Sequence, residues 1–323
     1  MATRNRLKAP LPPVALVCST VLILAPFGHS EASDDAVQVT FQADHDWDPH
    51  WSPDGDELVI ISDRDGVNHL WVISSTDGTA RQLTDGSLLD IHPCWSPDGT
   101  TVAFVNESSG NQDIWTIPAE GGLPTQITTY RGRDESLGWS HGGARIVFDS
   151  NRSGNWDIWT ISAAGGTASQ VTRDPSADVA PNGSWDGTMI VFSSDRSGSF
   201  DVWTIPSDGG EATQITSHPG ADLYPAYSPD GRWIAFGSDR SGNSDIWVVA
   251  SNGGEPVQLT TNEADDFYPN WSPDGSKIAF SSRRSGNLDI WLIDSPSHTP
   301  RPRRPTRRVA PIPWHEDEES QRQ

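Results

Sequence analysis

The stretch YPNWSPDGSKIAFSSRRSGNLDIWLI, residues 268–293, is the last of six copies of one sequence unit. Two positions mark the copies, and consecutive copies are 44 residues apart at both. The first position holds Trp51, Trp95, Trp139, Gly183, Tyr227 and Trp271, and the second holds Trp71, Trp115, Trp159, Trp203, Trp247 and Trp291. A fixed period in this range is typical of repeat architectures, in which neighbouring units bury a shared core.

Each unit divides into four short apolar segments separated by turn sequences. In the fifth unit the segments are residues 224–228, 232–237, 245–249 and 256–260, and the turns between them are SPDG, SDRSGN and SNGGE. Segments of this length that are rich in Ile, Val, Phe and Trp indicate β-strands. Because apolar residues follow one another directly, as in Ile246 and Trp247, we expect each sheet to be buried on both faces. The sequence therefore predicts an all-β fold, a six-bladed β-propeller with four-stranded blades.

A Gln-x-Thr motif marks the outermost strand and indicates how the ring closes. It recurs at Gln82/Thr84, Gln126/Thr128, Gln170/Thr172, Gln214/Thr216 and Gln258/Thr260. A further copy, Gln38 and Thr40, lies before the first unit, while the sixth unit has Pro302 and Arg304 at these positions. We therefore expect residues 37–41 to supply the outermost strand of the last blade, so that the N-terminal strand closes the ring and protects an open edge.

These motifs carry a family resemblance. The pattern DxxPxWSPDG, then IAFSSxRSGNxDIW, then GGxxxQLT, resembles the TolB-type, WD40-like propeller repeat over residues 37–294. The resemblance is to the C-terminal propeller of TolB without its N-terminal α/β domain. It implies a role in the periplasm, in envelope integrity or transport. Similar blades also occur in peptidase propeller domains and in some polysaccharide lyases.

The two ends of the chain differ from the repeats. Arg4, Arg6 and Lys8 precede an apolar run, and small residues end at Ala32, so residues 1–32 are predicted to be a cleaved signal peptide. The run is shorter than a membrane span, and we expect no stable span after cleavage. We therefore expect a periplasmic or secreted propeller over residues 33–294, followed by a disordered Pro/Arg-rich tail, residues 295–323.

Composition narrows the classes of partner. The net charge is −22, and basic residues are densest near the chain ends, so the propeller lacks the basic footprint that nucleic acid requires. After signal cleavage Cys94 is the one remaining cysteine, which excludes an internal disulfide, and we interpret it as a packed small residue. We expect a monomer.

Strand order predicts one face for binding. The loops that precede the inner strands and the hairpin loops between the second and third strands should share a face, here called the loop face; the SPDG and GG turns should share the opposite face, here called the turn face. The loops that precede the inner strands differ in sequence from blade to blade, and such loops on a rigid scaffold commonly bind ligands. They span residues 42–48, 85–92, 129–136, 173–180, 217–224 and 261–268.

An aspartate recurs in every one of these loops: Asp46, Asp90, Asp134, Asp178, Asp222 and Asp266. One interpretation is a carboxylate ring at the channel mouth that binds a cation, with oxygen ligands that suit calcium, or a cationic side chain. The other is structural: each aspartate accepts backbone N–H bonds in its turn, or pairs with an arginine of the hairpin loop, Arg64, Arg152, Arg196, Arg240 or Arg284. Blade two has Ser108 at the arginine position, which singles out Asp90.

The sequence contains no G-x-S-x-G, H-E-x-x-H or phosphate-binding motif. Our leading hypothesis is a non-catalytic scaffold without a cofactor that binds a protein or peptide of the cell envelope over the loop face. An apolar and aromatic set would contribute to that face: Trp47, Leu88, Leu89, Tyr130, Phe267 and Tyr268. The alternative is a carbohydrate-active hydrolase or lyase, or a lectin, that uses the channel mouth. His45, His50 and His92 lie near the loops of blades one and two and could together bind a transition metal, but they follow no metal-ligand spacing.

Overall fold

The computed structural model describes residues 35–86 and 88–296, which form six four-stranded antiparallel sheets. The predicted signal peptide and nearly all of the predicted tail lie outside these residues. Blade one comprises β2 (Asp46–Trp51), β3 (Glu57–Ser62), β4 (His69–Ser74) and β5 (Ala80–Gln82). Blade two comprises β6 (Asp90–Trp95), β7 (Thr101–Asn106), β8 (Asp113–Pro118) and β9 (Thr125–Gln126). Blade three comprises β10 (Asp134–Trp139), β11 (Arg145–Ser150), β12 (Asp157–Ser162) and β13 (Ser169–Gln170).

Blades four to six repeat this order with one exception. Blade four comprises β14 (Asp178–Gly183), β15 (Met189–Ser194), β16 (Asp201–Pro206) and β17 (Thr213–Gln214). Blade five comprises β18 (Asp222–Tyr227), β19 (Trp233–Ser238), β20 (Asp245–Ala250) and β21 (Val257–Gln258). Blade six comprises β22 (Asp266–Trp271), β23 (Lys277–Ser282), β24 (Asp289–Asp294) and β1 (Val37–Gln38). The exception is β1, which comes from the start of the described chain. The predicted six-bladed propeller, closed by its N-terminal strand, is confirmed.

The core lies between neighbouring blades. One cluster joins Val59 and Leu70 of blade one to Val102 and Phe104 of blade two, all of them buried. The second strand of a blade has buried residues on both of its faces; β23, for example, is buried from Ile278 to its end. A single sheet cannot cover two apolar faces by itself, so each blade depends on the neighbours that pack against it.

Every inner strand is interrupted by a β-bulge. In blade one the register with β3 shifts between Trp47 and His50, and the same shift recurs in the other five blades. A bulge inserts residues that have no partner on the neighbouring strand and turns their side chains in a new direction. In this fold it re-aims one residue per blade at the end of the strand nearest the loop face.

The closing strand binds the last blade through its side chains as well as its backbone. Thr40 Oγ1 and Gln38 Nε2 each donate to the Asp289 carboxylate, at 3.0 Å, and the Val39 amide donates to the Ile290 carbonyl at 2.8 Å. Within blade two, Gln126 and Thr128 make the same contacts to Asp113. The Gln-x-Thr motif therefore locks the outermost strand to the third strand in both places.

Deleting residues 33–42 should lower the melting temperature by roughly 10 °C, because blade six loses its outermost strand and the buried Val39 and Thr40 contacts. Differential scanning calorimetry of the purified protein measures this directly. Val37→Thr is the control, since Val37 lies on the same segment but is 62% exposed. A deletion variant with the same melting temperature as the wild type would show that closure of the ring by β1 adds no stability.

Candidate functional site

The hairpin loops and the loops that precede the inner strands do share the loop face. Asn287 Nδ2 in a hairpin loop donates to the carbonyls of Gln42 and Asp44 in the loop before β2. Asn155 makes the corresponding pair of bonds to Asp174 and Ser176. An asparagine thus ties the two loops together.

The repeated aspartates lie beneath this face and not on it. Five of them are fully buried and contact the hairpin arginine of their own blade at 2.6–2.7 Å: Asp46 with Arg64, Asp134 with Arg152, Asp178 with Arg196, Asp222 with Arg240, and Asp266 with Arg284. These contacts confirm the arginine-pairing interpretation of five of the aspartates. Whether the ring also binds a cation stays a prediction.

Each of these arginines is held on several sides. In blade three, Arg152 Nη2 contacts both oxygens of Asp134, and Arg152 Nε donates to Ser150 Oγ at 2.9 Å. The guanidinium carbon also lies 5.1 Å from the centres of the Phe148 and Trp159 rings, a cation–π geometry. A charged arginine that is almost fully desolvated is stable here because carboxylate, hydroxyl and aromatic rings replace its water.

Asp90 is the exception that the sequence singled out. It is 2% exposed, and its carboxylate accepts from Thr84 Oγ1 at 2.5 Å and from Asn106 Nδ2 at 2.6 Å. Burial raises its pKa above the usual range, although these two neutral donors oppose the shift. Asp90 is therefore hydrogen-bonded, whereas its five counterparts are also paired with a guanidinium.

The channel mouth is lined by a different set of residues, which lie in the bulges two positions after the aspartates. Asp48, His92, Ala180, Tyr224 and Tyr268 all have φ between 51° and 55°. This left-handed conformation is unfavourable for side chains other than glycine, and such residues cluster at functional sites. Together with Ser136 they surround the mouth of the channel.

Two contacts across the mouth define its chemistry. His92 Nδ1 lies 2.9 Å from Asp48 Oδ2, and both side chains are largely buried. The Tyr224 and Tyr268 rings stand with their centres 4.3 Å apart, and their hydroxyl oxygens are 3.5 Å apart. The mouth therefore offers an ionisable pair on one side and two phenol groups on the other.

A buried carboxyl group lies directly beneath the mouth. Asp149 is 2% exposed; its Oδ2 accepts from the Ala180 amide at 2.8 Å, and its Oδ1 has no hydrogen-bond partner among the described residues. Burial, with a contribution from the charge of Glu135, raises the pKa of Asp149 to about 8. At pH 7 this carboxyl group is mostly protonated.

His92, in contact with Asp48, is a second group at the mouth with a shifted pKa. Burial alone would lower its pKa, but the hydrogen bond and the charge of Asp48 outweigh burial, so the pKa of His92 is raised. Asp149 and His92 also act on each other through their charges. The protonation state of the mouth therefore changes around neutral pH.

The predicted apolar set is divided among several environments. Leu88, Leu89 and Tyr130 are 43%, 44% and 52% exposed, whereas Trp47 packs against the core between blades one and two. Phe267 lies beside Tyr268, with ring centres 6.4 Å apart. Of the residues that the sequence proposed, Tyr268 is the one that lines the mouth.

Sequence reasoning missed Asp48, Asp149 and Tyr224 as site residues, and it considered His92 only as a metal ligand. A usable signal was the proline at Pro49, Pro93, Pro181, Pro225 and Pro269. Proline inside a strand indicates a bulge or an edge, and the residue before each of these prolines is one of those with positive φ. Blade three has Leu137 at this position, and Ser136 keeps an ordinary φ.

The far end of the channel opens on the turn face, in a cavity lined chiefly by Trp51, Trp95, Trp139, Tyr227 and Trp271. Cys94 Sγ lies on its wall, 3.1 Å from His50 Nε2. Burial raises the pKa of Cys94 to about 12 and lowers that of His50 to about 4. Both groups are neutral at pH 7, so the thiol is not a nucleophilic thiolate, although a histidine lies beside it.

The three histidines singled out by the sequence do not converge. His45 Nδ1 accepts from the Leu288 amide, His50 contacts Cys94, and His92 contacts Asp48. Within residues 35–86 and 88–296, no three His, Cys, Asp or Glu side chains are grouped closely enough to hold a metal ion. In the same part of the chain no helix is both long and apolar enough to cross a membrane.

The closed ring, the tied loops and the lined mouth define the class of this protein: a six-bladed β-propeller with a concave site on one face. Comparison with known families agrees. The family model of the Tricorn protease N-terminal beta propeller domain matches residues 67–156 and 200–271, and that of the TolB beta propeller domain matches residues 125–221. The first model covers half of the chain, so the chain belongs to the family of the Tricorn protease N-terminal beta propeller domain; the shorter match is its similarity to the TolB beta propeller.

Solved structures show the same fold. A protein of Agrobacterium tumefaciens assigned as TolB is similar with a TM-score of 0.65 and 24% identity, over 80% of this chain and 93% of that one. TolB of Acinetobacter baumannii is similar with a TM-score of 0.65 and 20% identity, over 72% of this chain and 59% of that one.

One curated relative matches a short stretch. The uncharacterised peptidase YuxL of Bacillus subtilis is 54% identical over 39 residues, which are 12% of this chain and 6% of the peptidase. The match is shorter than one 44-residue repeat. The match reflects the shared blade sequence and does not indicate peptidase activity in this chain.

Arg240→Ser should destabilise the protein by about 3 kcal/mol, because it leaves the buried Asp222 carboxylate without its counterion. Urea unfolding followed by tryptophan fluorescence measures this change. Arg232→Ser in the same blade is the matched control, since Arg232 is 79% exposed and should contribute less than about 0.5 kcal/mol. Equal losses in both variants would contradict a structural role for the buried pairs.

Proposed function

We propose that this protein is an exported, non-catalytic scaffold that binds a segment of a protein or peptide partner at the channel mouth on the loop face. The observation that carries the proposal is the set of bulge residues, Asp48, His92, Tyr224 and Tyr268, held in an unfavourable backbone conformation around one opening. Each backbone strain of this kind costs about 1–3 kcal/mol and persists where the surrounding structure enforces it.

The shape of the mouth suits a polypeptide segment as the ligand better than it suits the flat surface of a folded protein. It is concave, and tyrosines give a large contact area with little loss of side-chain entropy, which is why they are frequent in binding sites. Asp48 and the Asp149 carboxyl group add acceptors for a lysine side chain or an N-terminal amine. A partner in the cell envelope, and a role there in integrity or transport, would follow from the predicted signal peptide and the similarity to TolB.

The partner can be sought by affinity capture from a cell-envelope extract with the full mature protein. The captured polypeptide is then synthesised in fragments and titrated against variants. Tyr224→Ala with Tyr268→Ala should weaken binding roughly tenfold or more, as expected for a central aromatic pair. Alanine is compatible with this backbone, since Ala180 adopts the same φ.

Leu123→Ala is the matched control for that titration. Leu123 is 90% exposed and follows the Gly121–Gly122 turn, so it lies on the turn face. An equal loss of affinity in the control and in the double variant would refute the mouth as the binding site. Repeating the titration with a calcium chelator tests the calcium interpretation of the aspartate ring, because a calcium-dependent site would lose affinity.

Binding of a cationic segment should strengthen as the pH rises through about 8. Asp149 ionises in this range, since its pKa is raised to about 8, and His92 loses its positive charge as the pH rises past its own raised pKa. Both changes favour a cation in the mouth, and binding should release protons near pH 7. Calorimetry in two buffers of different ionisation enthalpy measures the release.

Asp149→Asn should flatten this pH profile, because the amide stays neutral at every pH and can still accept from the Ala180 amide. A profile that is unchanged in Asp149→Asn would show that another group governs the dependence. A segment that binds without proton release would contradict contact between its cation and this carboxyl group.

The second candidate function is a carbohydrate-active hydrolase or lyase, or a lectin, at the same mouth. It is favoured by one observation: a carboxyl group that keeps its proton at pH 7 lies beneath a His–Asp pair, and a raised carboxyl pKa is typical of a general acid. Incubation with neutral and acidic oligosaccharides, followed by mass spectrometry, separates the candidates. Cleavage that is lost in Asp149→Asn would establish the enzyme, and retention without cleavage would establish the lectin.

A further inference from the structure

Blade two departs from the other five at two positions beside its repeated aspartate. The hairpin arginine of those blades is replaced by Ser108, and the serine that accepts from the arginine Nε is replaced by Asn106. The aromatic residues around those positions are retained. Phe104 faces Trp115 across β7 and β8, as Phe148 faces Trp159 across β11 and β12 in blade three.

The five other blades show what this arrangement binds. In each, a guanidinium lies 4.7–5.1 Å from the centre of the strand tryptophan and contacts the buried aspartate. The same side chain donates from Nε to the hairpin serine at 2.8–2.9 Å. These are five internal copies of one recognition geometry, made by a carboxylate, a hydroxyl and an aromatic face.

In blade two a cavity of about 260 Å³ lies at this position. It is lined by Asp90, Phe104, Asn106, Ser108 and Trp115, and it reaches the surface beside Leu88. Asp90 is 2% exposed and Phe104 is 1% exposed, so the bottom of the cavity is buried, whereas Ser108 and Leu88 at its opening are exposed. The cavity is large enough for a guanidinium group with an alkyl chain.

No guanidinium of the residues that the structure describes balances the charge at the bottom of this cavity. Among the same residues, each Asp90 oxygen accepts one bond from a neutral donor, Thr84 or Asn106, and each oxygen can accept another. Two further titratable groups act on Asp90 through their charges: His69 stabilises the carboxylate and Asp85 opposes it. A planar cation that offers several N–H donors would complete the arrangement seen in the other blades.

We propose that the Asp90 cavity is a binding site for a guanidinium cation supplied from outside the chain. The planar face of the guanidinium packs on Trp115 and Phe104. Its N–H groups donate to the Asp90 carboxylate and to either the side-chain oxygen of Asn106 or the hydroxyl of Ser108. The cation is either a small guanidinium compound or the arginine side chain of a polypeptide. This inference goes beyond the proposed function and does not rest on the channel mouth.

The test is titration of the wild-type protein with methylguanidinium chloride, with methylammonium chloride at equal concentration as the ionic control. Binding is followed by the indole and backbone amide signals of Trp115 in NMR and by the melting temperature. We expect saturable shifts at Trp115 and a higher melting temperature with methylguanidinium only. Equal responses to both cations would overturn the proposal.

Two variants fill the cavity with an arginine side chain of the protein itself. Ser108→Arg alone, and Asn106→Ser with Ser108→Arg, copy the sequence of the other blades, so the double variant restores a complete and foldable arrangement. Both should weaken methylguanidinium binding at least tenfold while peptide binding at the channel mouth is kept. Unchanged methylguanidinium binding in the double variant would show that the ligand sits elsewhere.

Blade five provides the converse experiment. Arg240→Ser creates a cavity of the same kind above Asp222, and methylguanidinium should raise the melting temperature of this variant more than that of the wild type. No gain over the wild type would contradict the use of these blades as templates for recognition.

A last comparison separates the two sources of the cation. N-acetyl-arginine amide and a peptide with leucine next to arginine are titrated in parallel, because Leu88 and Leu89 form a half-exposed apolar rim. At least tenfold tighter binding of the peptide would identify a polypeptide arginine. Equal affinities, or binding of methylguanidinium without either arginine compound, would identify a small guanidinium compound. Binding of none of the three would overturn the proposal. Affinity should also fall as the pH drops and Asp90 takes up a proton.

Discussion

Each blade of this protein has two apolar faces, and neither can be covered by the blade itself. The second strands show this most clearly, because residues such as Ile278 to Phe280 of β23 are buried without interruption. A row of such sheets always leaves an exposed face at each end, whereas a ring leaves none. The closure of blade six by β1 is therefore the condition on which the core, the channel and both channel ends depend.

The ring holds the six blades in equivalent positions. Each level of the channel is therefore lined by one residue from every blade. At the mouth that position carries aspartate, histidine, serine, alanine and two tyrosines. The Asp–Arg pairs around it recur in five of the six blades because they support the fold. The positions that differ between blades, including Ser108 in blade two, give individual parts of the ring their own chemistry.

The fold could be derived from the sequence to the level of single strands. The 44-residue period predicts the blades, and Gln38 with Thr40 predicts the closing strand, because these signals depend on local pattern. The mouth could not be derived in the same way. The bulge moves the lining from the Asp46 series to the Asp48 series, and residues at a variable position show no repeat. The raised pKa of Asp149 likewise depends on its burial in the folded ring and on the charges of Glu135, which raises it, and of His92 in blade two, which lowers it.

Ring closure also has a kinetic consequence. Thr40 and Asp289 are 249 residues apart in the chain, whereas the hairpins within a blade join residues fewer than 20 apart. Bringing the ends of so long a loop together costs about 5 kcal/mol of chain entropy. The blades can form locally and early, while their junction is a late and slow event. Until then blade six presents a bare strand edge, to which the N-terminal strand of a second chain can pair as readily as its own. The same contact that completes the monomer is thus the route by which two incompletely folded chains would exchange strands.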